Sequence, residues 1–203
     1  MELYSESESF QQYSEQVRKE SDGLCPNHVR NVIKINKLKK EDIDIVLNLL
    51  ASPMTTPTDP IEKTEYIIDF NKIIPEPRFE SECPDEYKVN KSSSIEILKD
   101  KPWFNWYKWR IDHWGTKWGA YDCYTKIGKS YIQFVFSTAW AAPMPIIYKL
   151  GILGYDIDVK YADEDYGVNC GKLKYTNEQG WTHWNSLDMK DSVRFARDLW
   201  NNY

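Results

Sequence analysis

Arg110 stands in the middle of an aromatic stripe, and its neighbours are the first in this chain to suggest chemistry. The string from Asp100 to Asp122 reads D-K-P-W-F-N-W-Y-K-W-R-I-D-H-W-G-T-K-W-G-A-Y-D and holds five of the nine tryptophans. At about 100° per residue, Trp103, Trp106, Tyr107, Arg110 and Trp114 share one helix face, with Trp109 and His113 along its edge. A guanidinium among indoles has two uses. It can stack on a ring and pair with a buried carboxylate, as part of a core-facing helix. It can also meet a planar or anionic ligand on an aromatic platform. Gly115-Thr116-Lys117-Trp118-Gly119 favours the second use: the glycines free the backbone, Thr116 and Lys117 offer donors, and successive N–H groups can cradle an anion. The loop is not a Walker loop, which needs a longer glycine spacing and a terminal Lys-Ser/Thr.

These residues need a helix and a scaffold beneath it. Asp100 can cap the helix, Pro102 suits its first turn and Gly115 stops it. Before it, Val29–Ile35 reads as a strand by β-branched content. Lys39–Ala51 reads as an amphipathic helix, with Ile43, Val46, Leu47 and Leu50 on one side, ended by Ser52-Pro53. Met54–Lys63 reads as a surface loop, and Glu65–Phe70 as a second strand that closes a β-α-β unit. Asn71–Lys99 is mostly irregular, with a helical turn near Ile95–Leu98. After the tryptophan helix, Tyr131–Thr138 is a strand, Pro145–Leu150 a short helix stopped at Gly151, and Tyr155–Tyr161 an alternating strand. That makes a second β-α-β unit. Lys172–Tyr175 reads as a further strand, and Ser186 caps a last helix, Leu187–Asn201.

Two successive β-α-β units predict an α+β ferredoxin-like split sandwich, an antiparallel sheet with helices on one face. The tryptophan helix and helical extensions at both ends are added to it. The expected division is a polar, acidic extension over 1–24, a ferredoxin-like domain over 25–180 with an irregular, Trp-rich insertion at 71–130, and a C-terminal helix over 181–203 packed on the domain.

The chain has 203 residues and a formal net charge of −5. That length can bury a core without staples. The acidic balance argues against non-specific nucleic-acid binding, which needs a basic footprint. No apolar run approaches the length of a membrane span, and the N-terminus lacks the pattern of a secretory signal. Cys25, Cys83, Cys123 and Cys170 form no CxxC pair, so reduced thiols in the cytoplasm are expected.

Several strings resemble the YubB-type ferredoxin-like proteins of bacteriophages, plasmids and other mobile elements. They are Pro26–Asn31 (PNHVRN), Asp69–Pro77 (DFNKIIPEP), Trp114–Trp118 (WGTKW), Phe136–Pro145 (FSTAWAAPMP) and Tyr161–Gly167 (YADEDYG). The resemblance covers roughly 25–180 and implies a ferredoxin-like core and a mobile-element origin. It implies no activity. Accessory genes of mobile elements often encode antagonists of host defence, which is an argument by association.

A ligand pocket would draw on the polar residues of those strings, Asn27, Asn71, Lys72, Arg110, Thr116, Lys117, Thr138 and Glu164. Trp114, Trp118 and Trp140 would form its walls, and Trp106 and His113 would complete it from the stripe. A nucleotide-like ligand suits such a set. Asp163-Glu164-Asp165 could act as acid and base in a small nucleotide-processing enzyme, or be a solvated turn. No nucleophile elbow, HExxH pair or metal-spaced cluster appears, so no catalytic residue, metal or cofactor is assigned. The acidic arm and the acidic residues Asp156, Asp158 and Asp163–Asp165 could oppose a basic channel on a protein partner. The expectation is a cytoplasmic, non-enzymatic mobile-element protein that antagonises a host defence factor, of anti-CRISPR or other kind. It would bind a protein partner or sequester a nucleotide. A purely structural or interaction domain, and the small enzyme above, are the alternatives.

Overall fold

The computed structural model describes residues 27–54, 65–77, 106–184 and 188–203. The acidic arm, the Asp100 cap, Trp103, the turn near Ile95–Leu98, Cys25, Cys83 and the Ser186 cap lie outside them. The chain begins with β1 (His28–Asn36), α1 (Lys40–Leu50), β2 (Ala51–Met54), β3 (Glu65–Ile68) and α2 (Phe70–Ile73). It continues through α3 (Trp106–Trp114), β4 (Tyr121–Ile127), β5 (Ile132–Ala139), α4 (Met144–Gly151), β6 (Asp156–Asp163), β7 (Cys170–Thr176), β8 (Gly180–Trp184) and α5 (Met189–Asn202).

Six strands form one antiparallel sheet in the order β4-β5-β1-β6-β7-β8. Its first four strands have the ferredoxin-like arrangement. β5-α4-β6 straddles β1, and the chain from β1 to β4 straddles β5, so the two β-α-β units interlock. β7 and β8 extend the sheet beyond β6.

Alternation in the strands decides the layers. Val29, Ile33 and Ile35 of β1, with Ile132, Phe134 and Phe136 of β5, face α1 to α4 and are buried there. Fully burying such side chains contributes about 1.5–3 kcal/mol each, so this face holds most of the core. Val32, Val135 and Ala162 face the other way, under Ala196 and Leu199 of α5. The C-terminal helix therefore packs on the face opposite the other four helices.

α1 follows its apolar spacing: Val46, Leu47 and Leu50 are buried, and Asp42 accepts the Lys39 N–H at its start. The strand expected over Glu65–Phe70 does not join the main sheet. β3 pairs with β2 in a separate two-stranded sheet, from Ala51 opposite Ile68 to Met54 opposite Glu65. The first β-α-β unit closes instead with β4, a strand that periodicity does not reveal. α5 starts at Met189, two residues later than expected, where Asp188 accepts the Lys190 N–H at 2.8 Å.

Candidate functional site

The start of β1, the start of β4 and the ends of β5 and β6 meet at one end of the sheet, which gathers about half of the expected site residues. Asn27 leads into β1. Its carbonyl accepts the Trp140 N–H at 2.9 Å, and its amide donates to Asp165 at 2.8 Å and to Asp163 at 3.4 Å. Glu164 is tied to β1 twice: its carboxylate accepts the His28 N–H at 2.8 Å and its own N–H reaches the His28 carbonyl at 2.9 Å. Thr116 and Thr138 are fully buried. Thr116 donates to the Ala139 carbonyl at 2.8 Å; Thr138 donates to the Ala141 carbonyl at 2.7 Å and accepts from Asn31 at 2.9 Å. These two hydroxyls hold the backbone where β5 turns away from the sheet.

Lys117 sits among rings. Its ammonium lies 4.8 Å from the Trp140 centroid, 5.1 Å from Trp118 and 5.9 Å from Tyr107. Trp140 has a positive φ of 67°, a conformation that costs energy for a bulky side chain. Its carbonyl accepts from Asn169 at 3.0 Å, and its ring meets Tyr107 edge-on. Trp118 is 37% exposed and packs edge-on to Tyr121. The result is a cation–aromatic ledge with one indole open to solvent.

His28, Tyr121 and Asn169 also belong to this end, although the sequence did not single them out. The His28 ring nitrogen lies 2.5 Å from the Tyr121 hydroxyl. Burial, helped by the Glu164 charge, pushes Tyr121 up to about 12, so its proton stays available to the imidazole. Asp163 is only 4% exposed. Burial raises its carboxyl above the usual range, and the Asp165 N–H, Asn169 and Asn27 partly offset that by donating to it. No periodic pattern signals such a network; the spacing Asp163–Asp165 is the trace that an Asx turn leaves. Asp156 and Asp158 lie at the opposite end of β6, bound to Lys37 and Asn36, so the acidic residues do not form a single patch.

The remaining expected residues belong to the helical layer. Arg110 makes a two-pronged contact with Glu76, at 2.9 and 2.8 Å, with its guanidinium 5.1 Å from Trp106 and 5.0 Å from Trp114. That is the core-facing arrangement of the stripe. Trp114 is buried and donates to the Ile74 carbonyl at 2.9 Å. Lys72 donates to the carbonyls of Asn48 and Ala51 at 3.1 and 2.6 Å, capping the end of α1. The Asn71 side chain accepts the Glu76 N–H at 3.0 Å. His113 stacks on Trp109 with centroids 4.4 Å apart, and its ring nitrogen lies 3.0 Å from the Trp109 carbonyl. Gly115 closes α3 at φ 78°, bonding back to Arg110 and Ile111.

Asn27, Lys72, Arg110, Trp114, Thr116 and Thr138 of the expected pocket thus donate to internal acceptors, and what faces solvent is the ledge of Lys117, Trp118 and Tyr121. Among the described residues no three His, Cys, Asp or Glu side chains gather as metal ligands. No described helix is long and apolar enough to cross a membrane. No curated protein and no solved structure matches the chain. A family match covers β4 through most of α5 and omits β1, the strand that completes the middle of the sheet. Residues 114–198 match the family described as the ferredoxin-like domain in Api92-like protein, and so carry a ferredoxin-like domain of that kind.

Proposed function

We propose that this chain is a non-enzymatic accessory protein of a bacteriophage or related mobile element that binds and blocks a protein of the host's defence apparatus in the host cytoplasm. The mobile-element part rests on the resemblance of its ordered strings to the YubB-type proteins, and the defence part on association. The observation that carries the binding part is the ledge, an exposed Trp118 held beside the ring-bound ammonium of Lys117. Rigid tryptophans of this kind dominate binding energy where two proteins meet. Glu164, Asp165 and Asp122, all exposed around it, would steer a basic partner and make capture salt-sensitive.

The test is capture from host lysate with the wild-type chain and with Trp118→Ala, at low and high salt. The wild type is expected to retain one partner at low salt and lose it at high salt. Trp118→Ala is expected to weaken retention by about 2 kcal/mol or more, roughly thirtyfold. An empty wild-type eluate, or equal retention by Trp118→Ala, would refute the reading. Restored plating of a restricted phage when the chain is expressed in a defended host is the functional counterpart.

A further inference from the structure

The face of the sheet that α5 only partly covers carries a groove of about 450 Å³ that the ledge does not share. Its floor follows from the register. One row across the sheet runs Gln133, Lys34, Asp158, Lys174 and Thr182; the next runs Val135, Val32, Lys160 and Lys172. Four lysines therefore meet a single aspartate in a chain whose net charge is −5. Lys160 and Lys172 are directly opposite on neighbouring strands, and like charges in that relation destabilise a sheet. Lys160 and Lys174 have no carboxylate partner among the described residues, and Lys34 lies 4.4 Å from the Tyr131 ring centroid. Asp158 accepts from Asn36 at 2.7 Å, which leaves it acceptor capacity toward the groove. Tyr203, whose ring lies 5.6 Å from the Lys126 ammonium, lines one wall.

We propose that this groove binds a nucleotide, with the phosphates on Lys160, Lys172 and Lys174, an amino-bearing base edge on Asp158 and the ring against Tyr203. The volume falls in the range of small-molecule sites, about 300–1,000 Å³. The net negative charge of the whole chain disfavours a long polyanion more than a short one, which can stay within the local basic patch. This ligand site is separate from the protein-binding ledge, and either can fail without the other.

The experiment is equilibrium binding of the full chain to ATP, AMP, a cyclic dinucleotide of adenine and a fifteen-residue oligothymidylate, at low salt. At least one adenine nucleotide is expected to bind and to raise the melting temperature. Lys160→Gln/Lys174→Gln is expected to weaken that binding at least tenfold, whereas Trp118→Ala leaves it unchanged. Circular dichroism checks that both variants fold, and the single variant Lys160→Gln is expected to melt no lower than wild type, since it relieves a like-charge pair. The proposal is overturned by no binding of any adenine nucleotide at millimolar concentration. Binding that the double variant leaves intact, or affinity that only the oligothymidylate shows, overturns it equally.

Discussion

Replacing Glu76 by Gln should unsettle a protein that is otherwise untouched at that position, because the cost falls on Arg110. The two side chains are 34 residues apart in sequence and are 13% and 25% exposed. Two parallel charge-assisted bonds join them, and the guanidinium is flanked by Trp106 and Trp114. Breaking a fully buried pair by removing one partner costs about 3–5 kcal/mol, chiefly for the charge left behind. A quarter of the Arg110 side chain meets water, so about 2–3 kcal/mol is expected here for Glu76→Gln. Arg110→Met should cost a similar amount, and the double variant less than the sum, with a coupling of about 1.5–3 kcal/mol. Urea unfolding followed by tryptophan fluorescence measures all four corners, with the denaturant slope unchanged if only stability moves. A coupling under about 0.5 kcal/mol would refute the reasoning. A guanidinium held ready for an external anion gives that opposite result: Glu76→Gln would then be almost neutral in the free protein.

Other perturbations follow from the same packing. Gly115→Ala places a Cβ 2.7 Å from the Pro145 ring and 3.3 Å from the Met144 nitrogen, at φ 78°; a loss of about 2–4 kcal/mol in thermal unfolding is expected from left-handed strain plus overlap. Burial pushes Tyr161 and Cys123 up to about 12. The folded chain therefore holds those protons more tightly than the unfolded one, and the contribution is whole below the unfolded values and lost as pH rises through about 12. For Tyr161 it is on the order of 2–3 kcal/mol, so Tyr161→Phe should flatten the alkaline decline, with late tyrosinate absorbance in the wild type as the direct check. Asp163 is raised by burial as well. Stability should then fall as pH rises from about 4 upward through its folded value, and Asp163→Asn should remove that slope in urea titrations at stepped pH.

How much of this was legible in the sequence depends on whether one pattern served one purpose. Tyr131–Tyr161 was readable because β5 and β6 are central strands whose inward residues Ile132, Phe134, Phe136, Ile157 and Val159 are large and apolar, and α4 between them is short and ends at Gly151. The first unit was not, for reasons that lie in particular residues. β4 is an edge strand with a register shift between Tyr121 and Tyr124, and Asp122 sits at φ 51°. A bulge inserts a residue and destroys the period of two, so YDCYTKI shows no alternation. Glu65–Ile68 does alternate, yet β2 offers it a partner in Ala51–Met54, a stretch whose Pro53 argues against a strand anywhere but at an edge. Local pattern marked a strand correctly and said nothing about which sheet it joins.

The site residues separate along the same line. Tryptophan, threonine, asparagine and arginine attract notice as ligand-binding types because each brings hydrogen-bonding capacity on a shape that packs, and those properties suit a buried tether equally well. Trp114, Thr116, Thr138, Asn71 and Lys72 all reach backbone groups in irregular chain or at helix and strand ends, where carbonyls and N–H groups lack ladder partners. The described residues between β1 and β4 lie in short elements and their ends, which must satisfy many such groups, and residue type alone cannot distinguish that task from recognition. Position can. Lys117 and Trp118 come after the helix has ended at Gly115 and before β4 begins, where the backbone has turned outward, and Trp118 stays exposed. The lysines of the groove escaped notice for the converse reason. Lys34, Lys160, Lys172 and Lys174 are scattered over three strands, and only the register of the sheet brings their charge into one place.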